Sequence, residues 1–146
     1  MTKKYSFPIF LKIDTMKNKQ ESVKTQALNV LGGSLQLCST EPLTGYFRDG
    51  YCHTNLRDYG THVVSALMTE DFLTYTASRG NDLTTPKPQF RFPGLKAGDR
   101  WCLCISRWLE AEKEGLAPPI FLEATEASAL KFTSLEKLKE HAVFAK

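Results

Sequence analysis

Asp99-Arg100-Trp101-Cys102-Leu103-Cys104-Ile105-Ser106-Arg107-Trp108-Leu109, continuing to Gly115, is the stretch on which the fold turns. Trp101, Cys104, Ile105, Trp108 and Leu109 recur at the i, i+3, i+4, i+7, i+8 spacing of one helical face. Asp99 stands where an N-cap belongs, Gly115 can end the helix, and Pro118-Pro119 bar its continuation. The spacing therefore predicts one amphipathic helix over 99–115. A competing reading, a strand from Trp101 to Ile105 followed by a shorter helix, survives because Trp101, Leu103 and Ile105 also alternate. The helical stripe is the favoured one.

Upstream, His62-Val63-Val64-Ser65-Ala66-Leu67-Met68 is a β-branched, apolar run of strand length, and Thr69 after it is a natural N-cap. In the helix so capped, Glu70 and Asp71 suit the positive end of the dipole, Phe72, Leu73 and Thr76 line one side, and Gly80 ends it. Asn81 to Gly98 carries Pro86, Pro88, Pro93 and Gly94, and predicts a long loop of the kind that is functional or mobile. Asp49-Gly50 between Tyr46-Phe47 and Tyr51-Cys52 predicts a short hairpin. Downstream, Ile120–Ala124 reads as a strand and Leu130–Phe132 as a possible second one. Thr133 and Glu136 read as the capping box of a last helix that buries Leu135, Leu138 and Ala142. Strands and helices mix without a βαβ rhythm, so the class is α+β: a single two-layer domain with a small sheet, about three helices and long loops.

With 146 residues, 42% hydrophobic and 24% charged, the chain has the size and composition of one globular domain, which excludes wholesale disorder and coiled coil. No apolar run is long enough for a membrane span. The net charge of +3 is unevenly spread: residues 1–26 hold six lysines against Asp14 and Glu21, while the rest is nearly neutral. Residues 1–26 are thus expected to form a flexible basic tail and 27–146 the globular domain. A nucleic-acid partner is not expected, because the basic groups do not cluster on the body of the chain. The tail lacks the apolar core of a secretory signal, and Cys38, Cys52, Cys102 and Cys104 are expected to remain free thiols in a reducing cytoplasm rather than to form a disulfide framework.

Few residues announce a chemistry. Cys102-x-Cys104 resembles half of a metal site, but on a helix positions two apart diverge, so no metal and no cofactor are expected. Cys52 and Cys102 are the candidate reactive thiols, with His53 adjacent to the first and His62 or His141 as bases brought from elsewhere. Arg48-Asp49 at a turn, Asn81-Asp82 after a helix and Arg100-Trp101 are the candidate binding residues. An Arg presents a fixed fork of donors to carboxylate or phosphate, and a Trp offers a stacking face. Phosphate-cradling glycine loops, zinc-protease motifs and nucleophile elbows are absent.

Asn29-Val30-Leu31-Gly32, Pro42-Leu43-Thr44-Gly45, Arg48-Asp49-Gly50, Gly80-Asn81-Asp82-Leu83, Phe92-Pro93-Gly94-Leu95 and Gly98–Cys104 occur in an order that resembles a bacterial family of uncharacterised proteins, domain of unknown function 2237. The resemblance runs from Asn29 to about Ala142. It implies a soluble cytoplasmic domain and carries over no activity, cofactor or catalytic residue. Two functions are therefore expected in turn: a domain that binds a small polar or anionic ligand or performs thiol-assisted catalysis, and, as the alternative, a non-catalytic protein-protein interaction module. The first requires the candidate side chains to meet in one concave site. The second requires an exposed apolar patch. The oligomeric state is left open.

Overall fold

Residues 27–143 are described by the computed structural model; the basic segment 1–26 lies outside them. The organising pair is β1 (His62–Leu67) and β2 (Arg100–Cys104), a two-stranded antiparallel sheet with Ser65 opposite Cys102 and Ala66 opposite Trp101. Around it pack three α-helices among the described residues: α1 (Glu70–Ser78), α2 (Ile105–Lys113) and α3 (Leu135–Glu140), with short 3-10 turns at Pro88–Phe90, Leu122–Ala124 and Ala127–Lys131. This is a small α+β architecture.

The deciding window resolves against the single helix. Arg100–Cys104 is a strand, and the helix begins only at Ile105. Val63, Val64, Ser65 and Ala66 of β1 are all fully buried, so their backbone groups need ladder partners, which β2 supplies. That demand overrides the helical period of residues 100–104. Its remainder survives, because Ile105, Trp108 and Ala111 form the buried face of the shortened α2. Asp99 consequently does not cap a helix. Its carboxylate accepts from the Lys96 N–H and pairs with the Lys96 ammonium.

The strand-then-helix reading upstream holds in detail: the Thr69 hydroxyl accepts from the Phe72 N–H, Phe72, Leu73 and Thr76 are buried, and Gly80 follows the helix at φ +92°. Other expectations are corrected. Tyr46–Cys52 is not a hairpin: Arg48 N–H bonds the Gly45 carbonyl and Gly50 N–H the Thr44 carbonyl, so the segment coils on itself. Ile120 bridges Ala66 on the edge of β1 away from β2 and Ala142 on its other side, but the pairing stops there because the Phe121 carbonyl accepts from the Ala124 N–H and the Thr125 hydroxyl and turns the chain into a 3-10 turn; Leu130 sits in another. The last helix is capped by Ser134 rather than Thr133, and Leu138 is its buried anchor.

The core gathers Phe72, Met68, Trp108, Leu103, Ile120 and Leu138 between the sheet and the helices. The Trp108 indole N–H donates to the Pro118 carbonyl at 3.0 Å, which fixes the Pro118-Pro119 turn against α2. Asn29 closes the opposite side. Its amide donates to the Ser34 and Glu123 carbonyls and its oxygen accepts from the Leu31 and Gly33 N–H groups, so one buried side chain stitches two loops. No helix of the described residues is long and apolar enough to cross a membrane.

Candidate functional site

A cleft of about 520 Å³ opens where the 45–48 turn, the start of β1, the 81–92 segment and β2 meet. Its floor is buried Trp101, Phe92 and Cys102, with Trp101 and Phe92 edge to face at 5.3 Å. Its rim carries Tyr46 and Arg48 on one side and Asp82, Lys87 and Phe90 on the other. Of the candidates read from sequence, Arg48, Asn81, Asp82, Trp101 and Cys102 line this one cleft. Asp49, Arg100 and Cys52 do not.

Arg48 is held by the turn that bears it. Its backbone is left-handed at φ +55°, an unfavourable conformation for a side-chain-bearing residue. Its guanidinium donates to the Gly45 carbonyl at 2.6 Å and lies over the Trp101 ring, 5.4 Å from the centroid. Gly45 makes that turn possible: it sits at φ +100°, and a Cβ there would lie 2.5 Å from the Tyr51 carbonyl oxygen. Neither Arg48 nor Lys87 forms an ion pair with a carboxylate among the described residues.

Asn81 donates to the Thr76 hydroxyl and so is anchored to the end of α1. Asp82 is gripped by the Thr85 hydroxyl and by the backbone and hydroxyl of Thr84, and these bonds hold its carboxyl down at about 2. It is an exposed, permanently ionised group that organises the start of the long loop. Asp49 bonds His53, which stacks on Phe47, and caps the Tyr51 N–H. Arg100 stacks over Phe121, 3.9 Å from its centroid, on a strand rather than in the first turn of a helix.

Sequence reading passed over two cleft groups. Lys87, within the long 81–98 loop, belongs to no motif that marks it. His62, named only as a distant base, opens β1 beside the cleft, and its Nδ1 lies 2.6 Å from the Asp58 carboxylate. Asp58 is buried. Burial alone would raise its pKa, but the His62 backbone N–H, the imidazole and the Thr54 hydroxyl together outweigh burial and hold the carboxyl below its ordinary value. An ionised carboxylate only accepts, so the geometry makes Nδ1 the donor and leaves Nε2 as the lone-pair nitrogen of the neutral ring. Each histidine has such a carboxylate, His53 with Asp49 and His141 with Glu112, but only His62 belongs to the cleft.

The cysteines depart most from expectation. Cys52 and Cys102 are joined in a disulfide, where free thiols were expected. The reason is topological: Cys52 bridges to Thr125 and Ser65 N–H bonds the Thr125 hydroxyl, so the 52 segment is delivered beside β1 and β2, with Cα atoms 5.1 Å apart. Cys38 completes the group, and the three sulfurs lie within 4.8 Å of one another. Burial pushes the Cys38 thiol up to about 11, against smaller opposing pulls from the Ser65 hydroxyl and the Arg100 charge. Ser65 Oγ is itself buried without a hydrogen bond of normal geometry among the described residues. Cys104, although two residues from Cys102 and on a strand, is not in the cluster: the ladder is irregular between His62 and Val64, and Cys104 turns to Ser106. The three clustered sulfurs are the set that could hold a soft cation once reduced. Glu112, Glu140 and His141 also approach within 4.8 Å, and there Lys137 already supplies the positive charge.

A search of curated proteins returns no match. The sequence profile of a family described as an uncharacterized protein conserved in bacteria (DUF2237) matches residues 28–142, which takes in both strands, all three helices and every wall of the cleft. The chain is therefore a member of that bacterial family.

Proposed function

We propose that the cleft binds a small anionic ligand with a flat apolar portion. The observation that carries the reading is the convergence of Arg48 and Lys87, two cations without carboxylate partners among the described residues, on a cleft floored by Trp101 and Phe92. A guanidinium held over an indole presents its remaining N–H donors outward in a fixed fork. The aromatic floor takes the apolar portion of the ligand by burial and stacking. His62, oriented by Asp58, offers Nε2 as a hydrogen-bond acceptor or proton acceptor, and Asn81 adds an amide to the lining. Binding rather than thiol catalysis is the primary reading because Cys102 stands in a disulfide. The compartment proposed is the bacterial cytoplasm.

Titration with phenyl phosphate, benzoate and inorganic phosphate, followed by calorimetry and thermal shift, tests this. The aromatic anions should bind more tightly than inorganic phosphate. Arg48→Lys should weaken them by about tenfold, or ~1.4 kcal/mol, with little change in melting temperature, whereas Arg100→Lys, remote from the cleft, should leave binding unchanged. Equal binding by wild type and Arg48→Lys would refute the assignment, as would no saturable binding of any of the three at millimolar concentration.

A second reading, a protein-protein interaction module, is favoured by Leu56 and Tyr59, which stand 97% and 94% exposed on the loop before β1. Two projecting side chains are a small patch beside a cleft with this many fixed polar groups. If that loop is the working surface, Leu56→Ser with Tyr59→Ser abolishes partner binding and leaves anion binding intact.

A further inference from the structure

We propose that Cys38, Cys52 and Cys102 form a thiol-disulfide exchange centre in which the Cys38 sulfur displaces Cys102 from Cys52 and so delivers a free Cys102 thiol to the cleft. The proposal rests on the cleft being the functional site and adds a covalent activity to it.

The three sulfurs come from separate segments whose backbones are fixed. Cys38 N–H bonds the Gly50 carbonyl, Cys52 bridges Thr125, and Cys102 N–H bonds the buried Thr44 hydroxyl. With every sulfur within 4.8 Å of the others, a new bond of ~2 Å needs a shift of at most about 3 Å. In the step the Cys38 thiolate lone pair forms the Cys38–Cys52 bond. The Cys52–Cys102 bond breaks, its electron pair leaves on the Cys102 sulfur, and that sulfur takes up a proton equivalent to the one Cys38 gave up. One disulfide and one thiol stand on each side, so no external oxidant or reductant is required.

Attack on Cys52 is the favoured direction because of what leaves. Cys102, though buried, lines the cleft, whereas Cys52 is fully buried away from it and would leave into a dry core. A leaving thiolate that solvent can reach leaves faster than one expelled into an apolar core. Ser65 stands opposite Cys102 in the ladder and beside Cys38, its hydroxyl acting on the Cys38 thiol, so a polar group is already in place where the proton must pass. In a cytoplasm, disulfides of this kind are transient and exchange-active rather than permanent.

Cys38 also sets the pace. The charge that acts on it is that of Arg100 on β2. Its other neighbours in the cluster, Ser65 on β1 and the two bonded sulfurs, carry none. With burial holding the thiol near 11, the attacking thiolate is scarce at neutral pH and increases about tenfold per pH unit.

The test is alkylation of the native, unreduced protein with iodoacetamide at pH 7 and pH 9, followed by acid quench and peptide mapping. Cys104, the more accessible thiol, should be modified first at both pH values. Modified Cys102 should then accumulate together with a Cys38–Cys52 disulfide peptide, about 100-fold faster at pH 9 than at pH 7. In Cys38→Ala the Cys102 product should vanish while Cys104 labelling is unchanged. Should that variant fold poorly, Cys102→Ser provides the second arm, because it should form the Cys38–Cys52 disulfide on air oxidation. Modification of Cys38 with the Cys52–Cys102 bond intact overturns the proposal. So does Cys102 labelling that persists in Cys38→Ala, three free thiols in the unreduced protein, or Cys102→Ser with Cys38 and Cys52 both free. These peptides are read without any ligand, so failure of anion binding and failure of exchange are distinguishable.

Discussion

Replacing Asp58 tests both the construction of the site and the protonation pattern inferred for it. One carboxylate oxygen accepts from the His62 backbone N–H and the Thr54 hydroxyl, each at 2.9 Å, and the other accepts from His62 Nδ1 at 2.6 Å. Hydrogen bonds to a charged acceptor are worth about 1.5–3 kcal/mol each, but the Thr54 hydroxyl and the imidazole can regain water, so Asp58→Ala should cost roughly 2–4 kcal/mol. For a domain of this size that is a fall of about 8–16 °C in melting temperature by circular dichroism. Asp58→Asn is the sharper probe. Its carbonyl keeps one oxygen's two bonds, while its NH2 turns a donor toward Nδ1, which must then accept, so the imidazole proton moves to Nε2 and the loss is only about 1 kcal/mol. Nitrogen NMR of His62 should show Nδ1–H in the wild type and Nε2–H in Asp58→Asn. The pH dependence follows from the direction of the shift. A carboxyl whose folded-state pKa lies below the ordinary 3.8 contributes stability that is present above that value and is lost as pH falls through the folded-state pKa. The gap between wild type and Asp58→Asn should therefore hold from neutrality down to about pH 5 and close below about pH 4. A melting temperature for Asp58→Ala within about 3 °C of wild type, or an Nε2–H tautomer in the wild type, would refute the reasoning.

Gly60→Ala attacks the same histidine from behind: a Cβ there would fall 2.5 Å from Cε1 and 3.0 Å from Nε2 of His62. The ring must swing off Asp58, at a cost of roughly 1–2 kcal/mol, and affinity for phenyl phosphate should drop several-fold. Unchanged affinity would place His62 outside the ligand's reach. Asn29→Ala removes four hydrogen bonds and leaves the Glu123 carbonyl without its side-chain donor, so urea unfolding should show a loss of about 3 kcal/mol; a loss below about 1 kcal/mol would mean that water replaces the amide.

What could be read from the chain was whatever local chemistry decides. Thr69 capping α1, Phe72 and Thr76 on its buried side and Gly80 after its end are consequences of neighbours within a few residues. What could not be read were pairings across long separations. Trp101–Ile105 satisfies a helix and a strand almost equally well, and the choice falls to β1, some 40 residues earlier, whose buried backbone needs a partner. The Cys52–Cys102 bond is of the same kind, because nothing within either segment shows that Thr125 will draw residue 52 alongside the sheet.

The cleft divides along that line too. Arg48, Asn81, Asp82 and Trp101 stood out because each sits at or beside a turn, a helix end or a cap, and because an Arg offers a fork of donors and a Trp a stacking face. Asp49 and Arg100 stood out on the same grounds but face elsewhere, one on His53 and the other on Phe121, since a turn residue and its neighbour point in different directions. His62 went unweighted because its meaning depends on Asp58, four residues back in a loop with no periodicity, closed by Thr61 at φ +50°. That left-handed residue, like Arg48 at φ +55°, is held in a conformation that carries an energetic penalty. Thr61 directs the chain into β1, its carbonyl receiving the first N–H of α2, while Arg48 sets its guanidinium over Trp101. Both strained positions thus stand beside side chains that line the same cleft, the imidazole of His62 in one case and the guanidinium of Arg48 in the other.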